Sequence, residues 1–167
     1  TLQDETERAQ IQLTDALTAE LLEAIHPGLA DRAPALRRAL VRDGWPPRQP
    51  YPDAIGMLMT ARELGLATVL VSNTAWLCEE DYWMRLEEMA LADRFDYLVS
   101  SFDIGLRKPD RAMFDAALER ASCRAHECVM VGDSEANDIE PAAQLGMRTI
   151  RVTIQYQVQG KSRADAV

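Results

Sequence analysis

The sequence predicts an α/β fold in which helices cover both faces of a parallel sheet. Short apolar runs, such as residues 67–71 and 128–131, alternate with longer segments of helical periodicity. This alternation is typical of βαβ units, and strands without polar residues are buried on both faces. Before residue 50, apolar residues recur only with helical spacing. We therefore expect a three-layer core accompanied by a small helical unit.

Two helices are expected in the first part of the chain. Apolar residues recur with a period of about 3.6 over residues 4–25, and Pro27 should end this helix because proline cannot continue the backbone hydrogen bonding. A second helix is expected over residues 31–42. The proline-rich segment 44–50 follows and is the best candidate for a boundary between two units.

After this segment, helices and strands alternate to near the end of the chain. A helix should begin at Pro52 and end at Gly65, since proline suits a first helical turn and glycine a C-terminal cap. The elements expected after it, alternately strand and helix, cover residues 67–71, 77–91, 97–99, 111–121, 128–131, 135–145 and 149–152.

Charge and cysteine usage exclude several kinds of partner. The formal net charge of −9 argues against nucleic acid or an anionic membrane, because an acidic surface attracts neither. No apolar run approaches the roughly 18 residues that a membrane span needs. The three cysteines are odd in number and form no CxxC pair, so we expect reduced thiols in a cytoplasmic protein. The basic residues of the second helix should mostly lie on an exposed face, with the alternative that one of them reaches a substrate anion: Arg32, Arg37, Arg38 and Arg42.

Polar residues follow the predicted strands at the points where function is expected. Ser72 ends one strand, Asp133 follows another, and Lys108 lies in a loop before a helix. Because the carboxyl ends of parallel strands meet at one edge of a sheet, these side chains should lie together. A hydroxyl and an ammonium can hold phosphoryl oxygens, and an aspartate suits a hard cation such as Mg²⁺. The pattern therefore indicates a site for a phosphoryl group and its metal.

Two further residues belong to this site with alternatives left open. Asn73 is a candidate substrate contact, although asparagine after a strand is also typical of a turn. Asp138 is a candidate for orienting Lys108 or a metal-bound water, but it also lies in a first helical turn, where the helix dipole favours a negative charge. Ser72 alone could be a helix N-cap.

These segments resemble motifs of the haloacid dehalogenase-like hydrolases. Val69 to Asn73 is similar to the second motif of the family, Lys108 in Gly105 to Asp110 to the third, and Gly132-Asp133 with Asp138 to the fourth. The resemblance implies a three-layer Rossmann-like sheet with a small α-helical cap. It also implies Mg²⁺-dependent hydrolysis of a small organic phosphate monoester through an aspartyl-phosphate. By this resemblance Ser72 and Lys108 bind the phosphoryl group and Asp133 binds Mg²⁺.

The first family motif, Asp-x-Asp-x-Thr, supplies the nucleophile and is absent from the sequence. Because the chain opens with Thr1-Leu2, which matches the usual continuation of that motif, we expect the two aspartates just upstream. The 167-residue chain should then be inactive by itself. The expected organisation is a remnant after the first motif over residues 1–8, a helical cap over 9–46 and the α/β core over 47–167.

Other functions fit parts of the pattern. A non-catalytic module of the same family could keep the phosphate and metal pocket for binding or regulation. A 2-haloacid dehalogenase uses the same nucleophile without metal but usually lacks this form of the fourth motif, and a phosphomutase is a further alternative. A response-regulator receiver also combines an aspartate, a hydroxyl and a lysine, but in a different order along the chain. A small phosphate ester is therefore the expected partner.

Overall fold

The computed structural model describes residues 15–43, 50–153 and 164. Its first part contains helix α1 (Asp15–Ile25), a 3₁₀ turn (Ala30–Arg32) and helix α2 (Ala33–Asp43), and the two helices pack against each other. Within the described residues this agrees with the two expected helices, except that the second begins two residues later, after the 3₁₀ turn. Residues 4–14 of the first expected helix lie outside the described ranges. Residues 1–14 and most of the proline-rich segment, residues 44–49, lie outside the described ranges.

The second part alternates helices and strands as the sequence predicts. In chain order its elements are α3 (Pro52–Glu63), β1 (Val69–Ser72), α4 (Glu79–Glu88), β2 (Tyr97–Ser100), α5 (Ser101–Ile104), α6 (Arg111–Ala121), β3 (Val129–Gly132), a π-helical turn (Glu135–Ile139), α7 (Glu140–Gln144) and β4 (Arg148–Arg151). Two 3₁₀ turns, Ala92–Arg94 and Ala125–Glu127, precede β2 and β3.

Two of these elements differ from the prediction. The helix expected over residues 135–145 is divided into the π turn and α7, and Pro141 lies at the start of α7. Proline has no N–H to donate to the preceding turn, so the α-helical ladder cannot run through this position. Helix α5 was not predicted, because four residues are too few to show a helical period.

The strands of the described chain form two parallel pairs. Strand β1 pairs with β2 in register from Val69 with Tyr97 to Ser72 with Ser100. Strand β3 pairs with β4 from Val129 with Arg148 to Gly132 with Arg151. The parallel direction is the predicted one, but within the described residues the pairs are not joined into one sheet. All residues of β1 are only half-buried despite its apolar sequence.

Two apolar clusters cover the opposite faces of the β1–β2 pair. Neighbouring residues of β2 belong to different clusters, since side chains alternate between the faces of a strand. One cluster contains Val99 of β2 and residues of α6 and α7, and the other contains Leu98 of β2 and Leu86 of α4. Met113 and Phe114 of α6 are fully buried in the first cluster. Helices therefore lie on both faces, which confirms the three-layer α/β architecture.

A buried arginine connects the helical part to the α/β part. Arg37 of α2 is only 7% exposed, so the expectation that it lies on an exposed face is wrong. Its Nη1 donates to Asp81 Oδ2 at 2.7 Å and to the Trp76 carbonyl at 3.0 Å, and its guanidinium lies 5.3 Å from the centre of the Phe102 ring. Helical periodicity cannot reveal this burial, because the partners are contributed by distant segments.

No helix in the described ranges is both long enough and apolar enough to cross a bilayer.

Candidate active site

The site lies where β1 and β3 end, and Lys108 connects these two strand ends. The lysine comes from the loop between α5 and α6. Its Nζ lies 2.6 Å from Asp138 Oδ1 and donates to the Val71 carbonyl at 2.9 Å. The side chains of Lys108 and Asp138 are 11% and 6% exposed. Removing one partner of such a buried pair strongly destabilises the folded protein, because the other charge stays buried without compensation.

Gly132 allows Asp138 to reach this position. A Cβ atom at residue 132 would lie 2.5 Å from Asp138 Cβ and 2.6 Å from its Oδ2, far inside normal contact distance. The π turn folds Asp138 back over the end of β3, where Oδ2 accepts a hydrogen bond from the Ser134 amide at 3.1 Å. A residue without a side chain is therefore required directly before Asp133.

Asn73 fixes the backbone of Lys108. Its Nδ2 donates to the Lys108 carbonyl and its Oδ1 accepts from the Lys108 amide, both at 2.8 Å. Both polar atoms of the side chain are thus engaged with the lysine loop, and a contact of Asn73 with substrate stays a prediction. The neighbouring Thr74 has a turn role, since its Oγ1 accepts from the amides of Trp76 and Leu77.

Ser72 lies at the end of β1, and its hydroxyl has a partner that the sequence reasoning missed. Ser72 Oγ is 2.5 Å from the hydroxyl oxygen of Tyr82 on α4. The helical period that puts Leu86 on the sheet also puts Tyr82, four residues earlier, on the same face. That period was the available signal, but it could not reveal that the phenol reaches the strand end.

Asp133 follows directly after β3 and is half-buried. Among the described residues, no group of three or more His, Cys, Asp and Glu side chains is arranged to hold a metal ion. Mg²⁺ commonly takes only one or two protein carboxylates and completes its octahedron with waters and phosphate oxygens. The hard oxygen donor of Asp133 therefore fits Mg²⁺ as one ligand, and the other ligands would have to come from elsewhere.

The ends of β1 and β3 thus carry the polar residues predicted to form the site. The ammonium of Lys108 contacts the end of β1 at Val71, and Ser72 is the next residue of that strand. The same ammonium contacts Asp138, which packs on Gly132 directly before Asp133. An ammonium has three N–H groups, so the contacts with Asp138 and Val71 leave one for a further oxygen. Positive charge, a hydroxyl and a carboxylate are suited to an oxyanion with a bound cation.

A three-layer α/β fold with polar residues at the ends of its parallel strands defines a class of proteins that bind ligands at that edge. The chain belongs to the haloacid dehalogenase-like hydrolase family, whose family model matches residues 4–146. The comparison confirms the family resemblance drawn from the three motifs.

Curated relatives include two phosphatases. A glyceraldehyde 3-phosphate phosphatase of Methanocaldococcus jannaschii is 34% identical over 104 residues, which cover 62% of this chain and 44% of that protein. A phosphoserine phosphatase of Thermus thermophilus is 32% identical over 126 residues, which cover 75% of this chain and 49% of that protein. The chain therefore spans less than half of the length of either relative.

Solved structures with the same fold include a 2-haloacid dehalogenase from Pseudomonas syringae. It has a TM-score of 0.65 and 26% identity, over 91% of this chain and 65% of that one. A HAD-type hydrolase of Bacillus subtilis, solved with bound magnesium, has a TM-score of 0.57 and 20% identity, over 85% of this chain and 60% of that one. The fold is thus shared with a 2-haloacid dehalogenase and with a magnesium-bound HAD-type hydrolase.

Proposed function

We propose that the protein containing this chain is a Mg²⁺-dependent phosphatase that hydrolyses a small organic phosphate monoester. The observation that carries the proposal is the buried contact of Lys108 with Asp138 and with Val71 in β1, the strand that ends at Ser72. Membership of a hydrolase family and the two phosphatase relatives also support it. The acidic chain favours a small-molecule substrate over a nucleic acid.

Each site residue has a role in the proposed reaction. The Ser72 hydroxyl donates a hydrogen bond to a phosphoryl oxygen, and the Lys108 ammonium stabilises the negative charge on the transferred group. Asp138 orients Lys108, and Asn73 holds the backbone of the same residue. Asp133 provides a carboxylate for Mg²⁺, which supplies charge screening and alignment of the phosphoryl oxygens when bound.

The nucleophile is the part of the reaction that this chain does not supply. Its 167 residues contain no Asp-x-Asp-x-Thr motif. We propose that an aspartate outside these residues attacks phosphorus and expels the alcohol. Water then cleaves the aspartyl-phosphate to release inorganic phosphate. By itself, the 167-residue chain should bind phosphate without turning over an ester.

Residues 9–46 act in this proposal as a cap that shelters the site and selects the substrate. The buried contact of Arg37 with Asp81 supports a docked position for the second cap helix. The three cysteines, which are free thiols, support a reducing, cytoplasmic location.

The proposal is tested first by phosphate binding to the chain itself. Isothermal titration calorimetry with inorganic phosphate should show binding that requires Mg²⁺. Lys108→Ala should abolish this binding. Asp133→Asn should also abolish the binding seen with Mg²⁺, because the cation loses its carboxylate ligand. Arg111→Ala is the matched control, because this basic side chain, three residues after Lys108 in the sequence, is 74% exposed and pairs with the half-exposed Asp115. Equal phosphate affinity in Lys108→Ala and the unmodified chain would contradict the proposal.

Catalysis is tested separately. A longer form of the protein that carries an Asp-x-Asp pair should hydrolyse members of a panel of phosphate monoesters, and Asp133→Asn should abolish this activity. The 167-residue chain should not release p-nitrophenol from p-nitrophenyl phosphate with Mg²⁺ present. Turnover by the chain alone would show that the nucleophile lies within it.

A 2-haloacid dehalogenase is the second candidate, because such an enzyme shares the fold at 26% identity over most of this chain. The two reactions are distinguished by their products. Two results together would favour the dehalogenase. The protein would release halide from a 2-haloacid without Mg²⁺, and it would release no phosphate from any ester of the panel.

A further inference from the structure

Tyr82 contacts the Ser72 hydroxyl but has no role in the reaction described so far. Its hydroxyl oxygen lies 2.5 Å from Ser72 Oγ. Its ring is half-buried and packs with the apolar cluster that contains Leu86 and Leu98. The phenol is therefore held by packing, and its polar end meets the end of β1.

Hydrogen-bond donation limits how this pair can act. A serine hydroxyl has one proton, so Ser72 can donate to a phosphoryl oxygen only if it does not donate to Tyr82. The phenol can supply its own proton to Ser72 Oγ instead. This gives a chain of donors from Tyr82 to Ser72 to the bound anion, and such chains polarise and strengthen each other. The phenol also fixes the rotation of the serine side chain.

The segment that carries Tyr82 is itself held in place. The preceding residue, Asp81, accepts from the Cys78 amide at 3.2 Å and from Arg37 of α2 at 2.7 Å. The start of α4 is thereby fixed both to its own first turn and to the second helix of the chain. A phenol on this anchored turn has little freedom to move away from Ser72.

We propose that Tyr82 is a positioning residue that directs the Ser72 hydroxyl proton toward a bound phosphoryl oxygen. This inference rests on the proposed function, since it requires phosphate at the end of β1. Tyr82 acts through Ser72 and does not itself touch the phosphoryl group.

A double-mutant cycle on the 167-residue chain tests this inference. The dissociation constant of inorganic phosphate is measured by isothermal titration calorimetry with Mg²⁺ for four proteins: the unmodified chain, Tyr82→Phe, Ser72→Ala and the double variant. Tyr82→Phe should weaken binding about threefold to tenfold, the range for one hydrogen bond. In the Ser72→Ala background the same change should have no further effect. Ser72→Thr keeps a hydroxyl, so adding Tyr82→Phe to this variant should again weaken phosphate binding.

Tyr97→Phe is the matched control. Tyr97 begins β2, at the opposite end of the strand pair from Ser72, and is 39% exposed. This change should leave phosphate affinity unaltered. Phenylalanine keeps the ring packing at residue 82, so the thermal unfolding of Tyr82→Phe should stay close to that of the unmodified chain.

The outcomes separate this inference from the proposed function. Unaltered affinity in Tyr82→Phe would overturn the inference, and so would an equal loss with and without the Ser72 hydroxyl. If the unmodified chain binds no phosphate, or if Ser72→Ala binds it as tightly, the proposed function fails and the role of Tyr82 fails with it.

Discussion

Replacing Gly132 with alanine tests how tightly the end of β3 encloses Asp138. The added Cβ would lie 2.5 Å from Asp138 Cβ and 2.6 Å from its Cγ. Carbon atoms normally approach to about 3.5 Å, so either Asp138 or the strand end must shift by roughly 1 Å. Overpacking of this kind costs about 1–3 kcal/mol. The shift should also loosen the 2.6 Å ion pair with Lys108. Removing one partner of a buried ion pair costs about 3–5 kcal/mol, so loosening the pair should cost roughly 1–2 kcal/mol.

We therefore expect Gly132→Ala to lower the free energy of unfolding by about 2–5 kcal/mol. The loss is measured by urea denaturation. A thermal scan should show a midpoint lower by at least about 4 °C, since a domain of this size loses roughly 2–4 °C per kcal/mol. Phosphate affinity should fall as well, because Lys108 loses its orienting partner.

Gly56→Ala is the control for the same chemical change. Gly56 lies inside helix α3, and no heavy atom outside its own helical backbone lies within 4 Å of the position that a Cβ atom would take there. Alanine there should stabilise the protein by about 0.5–1 kcal/mol, because glycine is unfavourable inside helices. The reasoning would be refuted if Gly132→Ala unfolded within about 0.5 kcal/mol of the unmodified chain, the range of ordinary surface changes.

Two further changes test the contacts around the site. Asn73→Ala removes both hydrogen bonds to the Lys108 backbone. Urea denaturation should then show a free energy of unfolding lower by about 1–3 kcal/mol. Unchanged stability would contradict the conclusion that Asn73 holds the Lys108 backbone. Burial disfavours ionisation of Asp81, but hydrogen bonds from Cys78 and Arg37 outweigh burial and hold its pKa below the usual value. The stability that this carboxylate contributes is present above the unfolded pKa of about 4 and is lost as the pH falls through the lowered folded pKa. The stability difference between the unmodified chain and Asp81→Asn should therefore narrow on acidification, whereas Asp93→Asn, at a 66% exposed side chain, should have little effect at any pH.

The succession of strands and helices along the chain, and the residues at the strand ends, could be predicted from local information. Apolar runs without alternation indicate buried parallel strands, and parallel strands carry their carboxyl ends to one edge. Ser72, Lys108 and Asp133 were predicted as site residues in this way. Helix α6 was also placed at its observed bounds, and Asp110 caps it by accepting from the Ala112 amide at 2.9 Å. Each of these predictions depends on short-range pattern and general geometry.

The partners of those residues were decided only by the tertiary structure. The partners are far apart in the sequence. Tyr82 and Ser72 are separated by 10 positions, Asn73 and Lys108 by 35, and Arg37 and Asp81 by 44. Periodicity indicates which face of a helix is buried, but it does not indicate which side chain from another segment lies opposite. The close approach of Asp138 to Gly132 likewise depends on the π turn, which no sequence pattern predicted. The residue types of the site were thus determined by local sequence, whereas their positions came from long-range packing.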